Sequence, residues 1–210
     1  MLIGVLNSVF RMHLTILAAS GRTGLALTRK ALERGHTVTA IARDPRNIGL
    51  EHPNLRGVAG DVSDPASIAA VVGADSVVLS GLGTDRAGVL LDGAKAVVAA
   101  GPRRIIWLGA YGTGASAEAA GEGAAVLWKF LGDRIPDKIA ADNAVLAAGG
   151  TVFHAGVLSD EPESPGRRTV GLDEAPPFDL GAKVSRETVA AAMLDEAEDP
   201  RFPGVIALVP

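Results

Sequence analysis

Leu14-Thr-Ile-Leu-Ala-Ala-Ser-Gly-Arg-Thr-Gly24 is the stretch that decides the fold. Leu14–Ala18 is a short apolar run that reads as a strand. It breaks at Ala19-Ser20-Gly21, and Thr23–Gly35 then reads as a helix. That helix carries Leu25, Leu27 and Leu32 among good helix formers and stops at Gly35. Gly21 and Gly24 fall on the second and third positions of a G-x-x-G-x-x-G spacing between strand and helix. A bare backbone at Gly21 lets a pyrophosphate approach closely. Gly24 lets the helix lie against the strand, and the first helical N–H groups face the anion. Ser20, Gly21, Arg22, Thr23 and Gly24 are therefore candidate contacts for a dinucleotide. The first position of the spacing is Ala18. If the turn demands a positive φ there, alanine costs about 1 kcal/mol or more.

Outward from this junction, strand and helix alternate. His36–Arg43 is β-branched and reads as strand two, closed by Asp44-Pro45. Leu55–Ala59 is strand three, followed by Gly60-Asp61. Asp64 caps a helix running to about Val72 with Pro65 in its first turn. Strand four is Asp75–Ser80. A helix from about Asp85 to Ala100 stops at Gly101-Pro102, and Arg104–Leu108 is strand five. An irregular stretch covers 109–135, a helix covers Pro136–Ala148, and Thr151–Leu158 is strand six. A loop rich in Pro, Gly and acids covers 159–183. Ser185 caps a helix to Ala197, and Val205–Val209 is the last strand.

This alternation predicts an α/β fold: a single doubly wound Rossmann domain over 14–210, mostly parallel, with helices on both faces. The stretches 109–135 and 159–183 are expected to overhang the carboxyl ends of the strands as substrate loops. Residues 1–13 are expected to be a peripheral extension. Met1–Phe10 lack the basic region and cleavage site of a signal peptide, and residues 1–11 fit an upstream extension or a misplaced start.

Composition narrows the chemistry. The 210 residues contain no cysteine, which removes disulfides, thiolate metal sites and cysteine nucleophiles and fits a cytoplasmic setting. Net charge is −4, and no basic run exceeds Arg103-Arg104 or Arg167-Arg168, so neither nucleic acid nor an anionic membrane is an expected partner. No apolar run reaches the roughly 18 residues of a membrane span. There is no Gly-Lys pair for a phosphate-binding P-loop, and His13, His36, His52 and His154 have no metal spacing. With 26 glycines and 4% aromatics, the core is built from small and branched aliphatics.

Strand two ends in Ala42-Arg43, with Asp44 next. NAD-specific sites place a carboxylate there for the ribose. Arg43 suits a 2′-phosphate instead, with Arg22 as a second guanidinium from the glycine loop, so NADP(H) is preferred over NAD(H).

With Leu17-Ala-Ala-Ser-Gly-Arg-Thr-Gly24, Ala42-Arg-Asp-Pro45 and Gly60-Asp-Val62, the chain resembles the atypical short-chain dehydrogenase/reductase superfamily. It is most similar to the small NAD(P)H-binding group that includes biliverdin IXβ reductase/flavin reductase-like and NmrA-like proteins. Ser80-Gly-Leu-Gly83, Ile105-Ile-Trp-Leu-Gly-Ala110 and Ser185-Arg-Glu-Thr-Val-Ala-Ala-Ala-Met193 carry the resemblance further, over about residues 14–209. It implies that Asp61 and Val62 flank the adenine. It also implies that Gly81, Leu82 and Gly83 pass beneath the diphosphate and ribose, that Gly109 and Ala110 lie near the nicotinamide, and that Lys138 hydrogen-bonds its ribose.

Against that family's pattern, Arg134 and not tyrosine stands four residues before Lys138. The one tyrosine, Tyr111, has Ala115 four residues on. Gly109-Ala110 replaces the polar Ser/Thr after strand five, and His154-Ala155 replaces an Arg-Pro near strand six. The usual Ser–Tyr–Lys relay is missing. That favours a planar, delocalised acceptor such as a flavin or quinone, which can take its proton from solvent. If the protein supplies an acid, His154, facing the pocket mouth, and Tyr111 are the candidates, with Lys138 beside them. Trp128 and Phe130 either stack on a planar substrate or fill a small core. The alternatives are a non-catalytic NADP-binding redox-sensing regulator of the NmrA-like kind and, more weakly, a nucleotide-sugar epimerase or dehydratase. A monomer or a weak homodimer is expected, the late helix being the surface available for pairing.

Overall fold

The structure, a computed structural model, describes residues 11–83, 86–202 and 204–209. Residues 1–10 of the extension expected at 1–13, and the helix start expected at Asp85, lie outside the described residues. The strands are β1 (His13–Leu17), β2 (Thr37–Ala42), β3 (Leu55–Ala59), β4 (Val77–Ser80), β5 (Arg104–Ala110), β6 (Thr151–Ala155), β7 (Val157–Ser159), β8 (Arg168–Val170), β9 (Lys183–Ser185) and β10 (Gly204–Val209). The α-helices are α1 (Arg22–Glu33), α2 (Pro65–Ala69), α3 (Val89–Ala99), α4 (Ala117–Ala120), α5 (Ala124–Leu131), α6 (Arg134–Ala147) and α7 (Arg186–Glu198).

Eight strands form one sheet in the order β3-β2-β1-β4-β5-β6-β10-β8, parallel except for β8, which runs antiparallel to β10. The order reverses between β1 and β4, where Leu14 pairs with Val77 and Leu17 with Ser80. That reversal opens a crevice at the carboxyl ends of the strands. Alternate residues of each strand feed opposite faces. Leu14 and Ile16 of β1 pack with Ala26 and Leu27 of α1 and with Val189 and Met193 of α7. On the other face Leu17, Val78, Ile105 and Trp107 pack with Ile68 of α2, Leu90 and Val97 of α3, and Val145 of α6. The doubly wound architecture holds.

Local chemistry fixes the helix starts. Asp64 accepts the Ala66 N–H at 3.2 Å and Ser185 accepts the Thr188 N–H at 3.0 Å, so both expected caps are made. Helix α3 begins after Gly88, which has no side chain to offer. Asp137 of α6 caps it instead, its two oxygens accepting the Leu90 and Leu91 N–H groups at 3.1 and 3.0 Å in a buried position. Replacing Asp137 by alanine leaves both donors without a partner. The expected loss is about 2–3 kcal/mol, read as a lower denaturant midpoint with an unchanged m-value.

Several expected boundaries change. Strand six is not continuous to Leu158: β6 ends at Ala155, and after Gly156 the chain enters β7, which pairs with β9 in a separate two-stranded sheet. Both long stretches contain ordered elements, 109–135 two short α-helices and 159–183 the edge strand β8. The two stretches also pack on each other. The Phe178 N–H donates to the Ala120 carbonyl at 2.9 Å, and the Tyr111 and Phe178 rings stack at 6.4 Å. Met12 packs against the core and His13 belongs to β1, so the structured chain starts before Leu14. Helix α7, expected to be free for pairing, buries Thr188–Leu194, Glu196 and Ala197 within its own chain. It lies beside α1 on the same face of the sheet.

Candidate functional site

The β1–α1 turn fixes the crevice. Ala18 adopts φ +57°, the only positive φ among the described non-glycine residues. This left-handed turn points the Ala18 carbonyl at the start of α1, where it accepts the Gly21 N–H at 2.9 Å. A Cβ on Gly24 would lie 2.1 Å from that oxygen, so glycine is obligatory there. A Cβ on Gly81 would lie 2.8 Å from the Gly24 nitrogen, so β4 and α1 meet backbone to backbone. The strain at Ala18 predicts that Ala18→Gly gains stability. Relief of about 1–2 kcal/mol is offset by about 0.4–1 kcal/mol of unfolded-chain entropy, giving a small rise in melting temperature and unimpaired dinucleotide binding.

Over this turn lies an open cavity of about 630 Å³ across the carboxyl ends of β1 to β4. Among the expected contacts, Ser20, Gly21, Arg43, Asp61, Val62, Leu82 and Gly83 line it. Thr23 and Gly24 are buried beneath it at the start of α1. Arg22 is not in the wall: its guanidinium reaches outward to Asp160 at 3.2 Å, which Arg186 also holds at 2.6 Å. A clamp from Arg22 would require it to leave that carboxylate. Arg86, beyond the Ser80-Gly-Leu-Gly83 loop, lines the cavity and was not anticipated. Its one sequence signal is a cation just ahead of the apolar α3. The carboxylate after strand two is already taken, because Asp44 accepts Arg46 Nε at 2.9 Å and the Arg46 backbone N–H at 3.0 Å. Those bonds hold the Asp44 carboxyl below its ordinary range.

Further along the strand ends stand the residues expected to act near a substrate. Tyr111 is buried, and its hydroxyl donates to the Pro176 carbonyl at 2.7 Å. Burial pushes its phenol up from the ordinary value. His154 does not face the pocket mouth. It lies inside β6, 1% exposed, with Nδ1 2.6 Å from Ser116 Oγ and Nε2 3.1 Å from Asp142 Oδ2. Inward-facing strand positions alternate with outward ones, and residue 154 falls on the α6 side. Gly109 is bare for a related reason: a Cβ there would meet His154 Nε2 at 2.8 Å and Asp142 Oδ2 at 2.9 Å. Ala110 ends β5 and is partly exposed. Lys138 is half-buried on α6. Burial lowers its pKa, Asp142 opposes that, Arg134 reinforces it and Asp137 opposes it. Trp128 and Phe130 stand outside the core, 45% and 76% exposed. Trp128 Nε1 donates to the Gly112 carbonyl at 2.7 Å, and the Arg134 guanidinium lies 5.4 Å from the Phe130 ring centre.

The bare backbone at Gly21, Gly24, Gly81 and Gly83, the exposed start of α1 and the cavity at the sheet's reversal fit a dinucleotide. These features define the class of nicotinamide-dinucleotide-binding α/β proteins. The sequence profile of the NAD(P)H-binding family matches residues 18–200, and the chain belongs to that family.

Solved structures carry the same fold. ChuY, an anaerobilin reductase from Escherichia coli O157:H7, superposes with a TM-score of 0.77 at 20% identity, over 94% of this chain and 97% of that one. A short-chain dehydrogenase/reductase from Veillonella parvula, in complex with NADP, gives 0.74 at 22% identity over 94% of both chains. The oxidoreductase ylbE from Lactococcus lactis gives 0.76 at 18% identity, over 94% of this chain and 90% of that one. Among the described residues no helix is long and apolar enough to cross a membrane.

Proposed function

We propose that the protein is an NADPH-dependent reductase that passes hydride to a planar, delocalised acceptor: a flavin, a quinone or an open tetrapyrrole of the kind named for ChuY. The observation that carries this reading is the fate of Tyr111. The chain's one phenol stands outside the superfamily's usual Tyr-x-x-x-Lys position, and its hydroxyl is tied to the Pro176 carbonyl. An acceptor that spreads its charge over a ring system takes its proton from water. A simple ketone needs an acid placed on its oxygen.

NADPH, when bound, supplies the hydride; the chain's own groups supply position. Ser20, Gly21, Thr23 and the start of α1 would hold the diphosphate, and Asp61 and Val62 the adenine. Arg43 would hold the 2′-phosphate and Lys138 the ribose next to the nicotinamide. Trp128 and Phe130 present exposed aromatic faces on α5, which suits stacking on a planar substrate.

The test is a spectrophotometric panel at 340 nm with NADPH and flavins, quinones, tetrapyrroles and simple ketones. Turnover is expected with ring acceptors and not with ketones, and Tyr111→Phe should retain at least half of it. Turnover of ketones, abolished in Tyr111→Phe, would overturn the reading. Tight NADPH binding with no turnover across the panel would support the second reading, a non-catalytic NADP-binding regulator. The engagement of Tyr111 by Pro176 and the burial of His154 favour that alternative.

A further inference from the structure

We propose that Asp160 is a specificity-determining residue: it competes with the 2′-phosphate of the cofactor for the Arg22 guanidinium, and so sets how strongly the site prefers NADPH over NADH. The proposal rests on the NADPH preference proposed above.

The observation is a three-membered ion cluster beside the glycine turn. Arg22 and Arg186 hold corresponding places, each the first residue of its helix, α1 and α7. The two helices pack side by side on one face of the sheet, and each leads back into a parallel strand, so both start at its carboxyl edge. Asp160 follows β7 and stands between the two starts. Its Oδ1 accepts Arg186 at 2.6 Å and its Oδ2 accepts Arg22 at 3.2 Å. A cation in the first turn of a helix is disfavoured by the helix dipole, and one carboxylate relieves two such cations at once.

The two arms of this cluster are unequal. The Arg186 side chain is 12% exposed and makes the shorter contact; that of Arg22 is 72% exposed and makes the longer one. The chain beyond Asp160 is held independently, because Glu163 accepts Lys30 Nζ at 2.7 Å and Arg167 Nε at 3.1 Å. If Arg22 swings away, Asp160 therefore stays in place with its charge still met by Arg186. Arg22 is the arm free to move, and it directly follows Ser20 and Gly21, which line the dinucleotide cavity. A phosphate dianion draws a guanidinium more strongly than a carboxylate already shared with a second arginine. Exposed ion pairs are weak, so the competition is worth several-fold in affinity and not orders of magnitude. Asp160 thus holds back the second guanidinium of the cofactor site, from a residue 138 positions along the chain.

The test measures NADPH and NADH affinities by fluorescence titration at low salt. Asp160→Asn keeps an oxygen for Arg186 and removes the charge that holds Arg22. It should tighten NADPH by about two- to fivefold and leave NADH within about 1.5-fold of wild type. Arg22→Ala should weaken NADPH, and adding Asp160→Asn to it should change nothing further. Glu161→Gln controls for the general field: this neighbouring carboxylate accepts from the Ser159 hydroxyl at 3.3 Å and makes no ion pair among the described residues, so its loss should leave NADPH affinity unaltered. The proposal is overturned if Asp160→Asn fails to tighten NADPH, if it tightens NADH equally, if its gain persists in Arg22→Ala, or if Glu161→Gln matches it. Failure of the underlying reading looks different: wild type and Asp160→Asn would each bind NADH as tightly as NADPH.

Discussion

Gly24→Ala should destroy dinucleotide binding and cost the fold about 3 kcal/mol or more. The added Cβ would sit 2.1 Å from the Ala18 carbonyl oxygen, 2.7 Å from its carbon and 2.9 Å from the Ala19 Cα. All three are backbone atoms of the strained turn, so no side chain can swing aside. Helix α1 must back away from β1 by about an ångström, which strains the packing of Ala26 and Leu27 on the sheet. A shift of that size at the helix start costs about 100-fold in binding, since the N–H groups no longer meet the diphosphate. Gly83→Ala is the control: its Cβ meets nothing within 4 Å, and it should fold as wild type. Gly21→Ala falls between them, with Ala18 O at 3.2 Å. Thermal melts should place Gly24→Ala lowest, Gly21→Ala next and Gly83→Ala nearest wild type. Gly24→Ala as stable and as tight as wild type would refute the close approach of α1 to the turn.

That turn also shows how far residues alone reach. The glycine spacing, the β-branched second strand and the helix stops follow from local chemistry. They place β1, α1, β2 and β3 to within a residue or two. The cost assigned to Ala18 was conditional on a positive φ, which the structure supplies. Arg43, Asp61 and Leu82 reach one cavity because each ends or follows a parallel strand, and parallel strands finish on the same side. What sequence could not supply is direction. Arg22 lies in the glycine loop but turns to Asp160, 138 residues away along the chain. His154 lies within β6, a strand buried on both faces, and its ring points to the α6 side. Its partners Ser116 and Asp142 come from two other segments, and no spacing joins the three. The break at Gly156 is masked in the sequence because β7 is as apolar as β6, and periodicity does not reveal which sheet a strand joins.

Arg43→Ala carries the other large effect, on the choice of cofactor. Arg43 follows β2 and lines the cavity, its side chain exposed to solvent. A phosphate on the adenine ribose would bring two negative charges to this rim, and a guanidinium binds such a group through paired, charge-assisted hydrogen bonds. The competing arrangement, a carboxylate gripping the ribose hydroxyls, is disfavoured because Asp44 pairs with Arg46 and is not among the residues lining the cavity. Losing Arg43 should therefore weaken NADPH by about 10- to 100-fold, or roughly 1.5–3 kcal/mol, and NADH by less than about threefold. Because the contact is charged and exposed, NADPH affinity should also fall with added salt in the wild type and much less in Arg43→Ala. Arg86 on the same cavity makes the outcome informative in degree. If Arg86→Ala costs NADPH as much as Arg43→Ala does, and spares NADH equally, the two guanidiniums share the phosphate. If Arg43→Ala weakens NADH and NADPH alike, the residue shapes the rim without reading the phosphate. The proposed preference for NADPH would then fail with it.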